Sequence, residues 1–83
     1  MEHYVIEIVY KNDSAKYYLS QISGYYQNFY HSIDPFYAKF YDNFKSAKSS
    51  IKTVYKYAFK RNQDITCRIR SVEIKFLDED DNS

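Results

Sequence analysis

Residues 44–61, FKSAKSSIKTVYKYAFKR, constrain this chain more than any other segment. Phe44, Ala47, Ile51, Tyr55 and Ala58 recur at spacings of three and four, the period of a helix with one apolar stripe. On the other side lie Lys45, Lys48, Lys52, Lys56 and Lys60. At about 100° per residue these lysines form one basic ridge about 120° wide, and Arg61 ends the run. No Asp or Glu occurs from residue 44 to 61. A helix with such a stripe must bury it, and a chain of 83 residues has room for one domain and one core.

The remaining periodic segments read as strands. In residues 3–11, Tyr4, Ile6, Ile8 and Tyr10 alternate with Val5, Glu7 and Val9, giving one strongly apolar face and a half-apolar reverse. Asn12, Asp13 and Ser14 form a turn, and residues 15–22, AKYYLSQI, return as the second strand of a hairpin. Residues 64–77 form the closing strand. Ile65, Cys67 and Ile69 alternate, then Val72, Ile74 and Phe76 alternate in the opposite phase, which predicts a bulge near Arg70 and Ser71. The fold class is α+β: a small antiparallel sheet of three or four strands, with one amphipathic helix packed on one face.

Between hairpin and helix the chain is ambiguous. Gly24, the single glycine, marks a break, and residues 24–34 fit a strand, a helical turn or a surface loop. Asp34 followed by Pro35 is a good helix start. Phe36, Phe40 and Phe44 extend the apolar period backwards, so one reading is a single helix from residue 35 to 61. The other makes residues 36–41 a strand, with Asp42 or Asn43 capping a helix that begins at 44.

Composition narrows the function. One cysteine, Cys67, cannot form an internal disulfide, and it reads as a small core residue between Ile65 and Ile69. No run approaches the roughly 20 apolar residues of a membrane helix, and the N-terminus has no signal-peptide pattern, so a cytoplasmic setting is expected. His3 and His31 have no neighbours at metal-ligand spacing and read as surface or turn residues. A single glycine cannot build a phosphate loop. Acids in a row, Asp78, Glu79, Asp80 and Asp81, lack the spaced oxygens calcium requires. No metal, cofactor or catalytic constellation is therefore expected.

Charge is segregated beneath a net value of +1. Residues 1–44 sum to −2, residues 45–75 to +7, and residues 76–83 to −4. Residues 1–77 read as the domain and 78–83 as an acidic disordered tail. Like-charged neighbours along the helix cost about 1–2 kcal/mol in sum at low salt if nothing neutralises them. Three readings are open: a solubilising face, an external anionic partner, or neutralisation by the acidic tail of the same or a second copy. The chain also carries 11 Tyr and 6 Phe. Many occur in adjacent pairs, one member of which must face away from a core on one side of a sheet. Tyr25, Tyr26, Tyr30, Tyr37 and Tyr41 are expected at the surface, with Tyr57 on the polar side of the helix. Exposed tyrosine suits protein interfaces and base stacking alike.

The segments YVIEIVY, YYL, FYAKFYDNFKSAKSSI and SVEIKF, taken in order, are similar to small early-region or accessory proteins of phages and mobile elements of low-GC bacteria. The similarity covers most of residues 4–76. It implies a ββ(β)αβ order and a host-directed role, often stoichiometric inhibition of a host or defence enzyme, as by anti-CRISPR proteins. It carries no catalytic residues. The expected function is a non-enzymatic protein-binding module directed at a nucleic-acid-associated host protein. The exposed tyrosines would anchor it, with the lysine ridge or the acidic tail for steering. The alternatives are a nucleic-acid-binding module built on the ridge, Arg61, Arg68 and Arg70, and a structural homodimer that buries tyrosines on the uncovered sheet face.

Overall fold

The computed structural model describes residues 2–73. Four antiparallel strands, β1 (Glu2–Tyr10), β2 (Tyr17–Ser23), β3 (Asn28–Ser32) and β4 (Ile65–Glu73), form one sheet in the order β3-β2-β1-β4. One helix, α1 (Phe44–Lys60), packs on it between β3 and β4 in sequence. The α+β architecture and the element order are as expected. The strand inside the ambiguous region is residues 28–32, however, and not 36–41.

β1 and β4 pair along their whole lengths, from Glu2 with Glu73 to Tyr10 with Ile65, without a break in register. The bulge expected near Arg70 and Ser71 is absent. Of the two apolar phases read along this segment, Ile74 and Phe76 lie outside the described residues, and Val72 faces the other way from Ile65, Cys67 and Ile69 without any slip in register. Ile65, Cys67 and Ile69 pack toward α1. Val72, on the other face, borders a groove with Val5 and Phe40. The sheet's one register shift lies instead between Leu19 and Gln21 in the β2–β3 pair.

β2 leaves β1 after two residue pairs, Glu7 with Tyr18 and Ile8 with Tyr17. Residues 38–41 fill the gap. The Lys39 N–H donates to the Leu19 carbonyl at 2.8 Å, and Tyr4 and Tyr41 exchange backbone hydrogen bonds of 2.8 and 2.9 Å. This pairing explains why no helix runs through from residue 35. Asp34 does accept from the Phe36 N–H, and Pro35 does sit at the first position, but the result is one 3-10 turn, Pro35–Tyr37. At Ala38 the backbone becomes extended, because satisfying the open edges of β1 and β2 outweighs continuing a helix. The chain turns helical again at Asn43, whose side chain accepts from the Ser46 N–H at 2.8 Å.

α1 buries Ala47, Val54, Tyr57 and Ala58, with Ile51 partly covered. The expected stripe of Phe44, Ala47, Ile51, Tyr55 and Ala58 is therefore corrected: Phe44 and Tyr55 are exposed, and Tyr57 is 9% exposed, inside the core. At about 100° per residue, Tyr55 and Tyr57 lie some 80° to either side of the Ala47–Val54–Ala58 line. The two flanks meet different ground. On the Tyr55 side the sheet ends at β4, and the phenol lies over that edge, accepting the Cys67 N–H at 2.7 Å. On the other side β1, β2 and β3 continue, so the Tyr57 ring is covered.

Ile6, Ile8, Leu19, Val5 and Val54 are fully buried, each worth about 1.5–3 kcal/mol of apolar burial. Val5 belongs to the reverse face, so that face is not bare as expected: the segment around Pro35, Phe36 and Phe40 lies beside it. Glu7, also on this face, is 3% exposed, with Arg70 3.7 Å from its carboxylate.

Candidate binding surfaces

Two clusters of exposed aromatic side chains emerge, and different local devices hold them. The first is a strap at residues 33–40. Phe36 is 79% exposed, and Ile33, Tyr37 and Phe40 are exposed with it. The rings of Phe36 and Tyr37 meet edge to face with centroids 5.6 Å apart. Phe40 meets His3 in the same way at 6.1 Å. The backbone beneath is pinned at both ends by the Asp34 cap and by the hydrogen bonds of Lys39 and Tyr41. Beside the strap runs a groove of about 330 Å³ lined by Val5, Pro35, Phe36, Phe40 and Val72, with Asp34 and Glu73 at its margin. The groove is mostly apolar, and an adjoining groove that shares Val5, Pro35 and Val72 with it is lined by Lys16 and Arg70 as well as Glu7.

The second cluster is the outer face of α1. Lys45, Lys48, Lys52, Lys56, Lys60 and Arg61 are all exposed, and none forms an ion pair with a described residue. Phe59 stands among them, 84% exposed. A groove of about 600 Å³ lies at its foot, bordered by Lys52, Tyr55, Lys56, Lys60 and Ile65. The β2–β3 hairpin tip is fastened to the end of this face: Lys60 donates to the Gln27 side chain, and the Arg61 guanidinium donates to the Tyr26 carbonyl at 3.3 Å. Tyr25 and Tyr26 project from that tip, edge to face at 4.8 Å. Gln27, rather than Gly24, takes the left-handed backbone there, with φ of 49°.

Of the aromatic residues expected at the surface, Tyr25, Tyr26, Tyr30 and Tyr37 are exposed. Tyr41 and Tyr57 are not: they are 7% and 9% exposed and belong to the core. Tyr41 is buried because its backbone zips to Tyr4, which turns its ring under the helix. Burial pushes its hydroxyl above the usual phenol range, the nearby Ser50 opposing, and among the described residues the buried oxygen has no hydrogen-bond partner. Asp78, Glu79, Asp80 and Asp81 lie outside the described residues. Phe36, Phe40 and Phe44, read as core from their spacing, are surface residues. Phe59 was not singled out, although the helical wheel places it on the lysine flank.

Away from these clusters, chemistry is quiet. Burial pushes the Cys67 thiol up to about 11, against a hydrogen bond from Tyr55 that lowers it. That keeps the thiol protonated and unreactive near neutrality. His31 lies against Tyr10, with Nε2 and the phenol oxygen 2.8 Å apart, and burial lowers its pKa. Among the described residues no group of three or more His, Cys, Asp or Glu side chains is placed to hold a metal ion, and no helix is long and apolar enough to cross a membrane. No family model, curated protein or solved structure matches this chain.

Proposed function

We propose that this domain is a non-enzymatic protein-binding module whose docking surface is the strap at residues 33–40, and that it acts as a stoichiometric inhibitor of a nucleic-acid-associated host protein. The observation that carries this reading is Phe36. A phenylalanine 79% exposed at the crest of a turn leaves its apolar area in water, and the backbone that presents it is tied on both sides by hydrogen bonds. Rigid aromatic anchors lose little entropy on docking, which is why a few such residues dominate many interfaces.

Charge around the strap is mixed: Asp34 and Glu73 line the apolar groove, and Lys16 and Arg70 line the groove that adjoins it. Such a pattern can orient a docking partner. The inhibitor part of the proposal comes from the sequence's resemblance to small phage and mobile-element proteins.

The test is capture of partners from host lysate after nuclease treatment, with tagged wild-type protein and a Phe36→Asp variant. The reading expects one stoichiometric protein with wild type and its loss with Phe36→Asp. Equal recovery by both proteins, or no discrete partner with wild type, would overturn it.

A further inference from the structure

The lysine face of α1 is a different surface, and the proposed protein docking does not use it. We infer that this face, with Phe59 and the hairpin tip, is a binding site for single-stranded nucleic acid, in which lysines track the phosphates and Phe59 stacks on a base.

Charge gives the first half of the argument. Five lysines and an arginine lie along one helix with no acidic residue among them, and none is ion-paired with a described residue. An ordinary solvated helix alternates signs and gains from its i,i+4 pairs; here those pairs repel. Lysines four apart lie about 6 Å from one another along the axis, a spacing comparable to successive phosphates on an extended strand. Such a row suits phosphate contact that is independent of sequence.

Phe59 gives the second half. Proteins that hold single strands pair a basic track with aromatic faces on which bases stack. A phenyl ring 84% exposed between Lys52, Lys56 and Lys60 has that geometry. It lines an open groove of about 600 Å³ together with Ala58, Ile65 and Asp64, whose carboxylate is 3.7 Å from Lys11. In a duplex the bases already stack on each other, and a ring among the phosphate-binding lysines would have no partner. Tyr25 and Tyr26, held at the end of the track by Lys60 and Arg61, offer a second stacking point.

The experiment is fluorescence anisotropy with a labelled 12-nucleotide oligo(dT) and oligo(U), using the full chain in about 50 mM and about 200 mM salt. Binding is expected at the lower salt and should weaken by roughly 50- to 130-fold at the higher, as four to five phosphate contacts on a single strand require. Phe59→Ala should weaken it by about tenfold at constant salt, while Phe59→Trp retains it. Lys52→Gln with Lys56→Gln should flatten the salt dependence. Phe36→Asp should change nothing, which separates this site from the strap. The inference is overturned by undetectable binding at low salt. It is equally overturned if a duplex of the same length binds as well as the single strand and Phe59→Ala has no effect.

Discussion

The strap and the lysine face both present aromatic rings to water, yet they are built in opposite ways. The strap is a piece of irregular chain held by backbone hydrogen bonds to β1 and β2, and its aromatics border an apolar groove. The lysine face is the regular exterior of a helix, carrying a cationic track whose like charges repel. The strap therefore combines apolar area with fixed shape, which suits a folded protein surface. The helix combines charge with the projecting ring of Phe59, which suits a flexible polyanion. The difference teaches that an exposed aromatic residue has no fixed meaning: what surrounds it decides what it can bind.

That contrast can be broken by stability measurements, beginning with the largest effect. Tyr57→Ala should lower unfolding free energy by about 3 kcal/mol in urea titration, because it empties a core site. Phe59→Ala and Phe36→Ala should each stay within about 0.5 kcal/mol of wild type. A large loss from either surface variant would mean its ring is structural, and the corresponding binding surface would be lost with it.

Two local devices come next. Asn43→Ala removes the cap that separates strap from helix and should cost about 1 kcal/mol. Tyr55→Phe strips the hydroxyl from the Cys67 N–H on the edge strand and should also cost about 1 kcal/mol. In wild type, with the thiol at about 11 instead of its ordinary 9.0, alkylation of Cys67 at pH 8 should run about a hundredfold slower than in the unfolded chain.

The comparison is sharpened by charge reversal on the ridge. Lys52→Glu turns two repulsive i,i+4 pairs, with Lys48 and Lys56, into attractive ones. It should stabilise the fold by about 0.5–1 kcal/mol at low salt, an effect that shrinks in high salt. The same change should weaken oligonucleotide binding. A ridge selected for stability would not improve in this way.

The smallest expected effect concerns pH. Burial lowers the pKa of His31 in the folded state. Its contribution to stability is thus present above the ordinary histidine value near 6.5 and is lost as pH falls through the lower folded value. Urea midpoints should decline from pH 7.5 to pH 5, and His31→Gln should remove that part of the decline.

Much of this molecule was legible where local and long-range signals agreed. The alternation in β1 and the three-four period of α1 each identify their element, although Val5 and Glu7 on the reverse face of β1 are buried too, and the buried line on α1 runs through Ala47, Val54 and Ala58. The strap was not legible, because Phe36, Phe40 and Phe44 mimic a helical period by spacing alone. Only the backbone partners at Leu19 and Tyr4, distant in sequence, stop the helix at Tyr37. The exchange of Tyr55 and Tyr57 has a similar cause. A stripe read from one helix cannot say on which flank the sheet ends. Phe59 was within reach of the sequence, since it falls on the lysine side of the wheel, but an apolar residue near the end of an apolar stripe reads naturally as core. The hairpin strand β3 was hidden because Gln27, and not the lone glycine, supplies the left-handed turn residue.

If the strap docks a protein and the lysine face a single strand, the two must respond separately, and backbone amide NMR during titration with oligo(dT) reads this out. Shifts are expected along the lysine face, residues 45–61, and at the hairpin tip, residues 25–27, with residues 33–40 unmoved. Shifts centred on residues 33–40, or none at low salt, would contradict it.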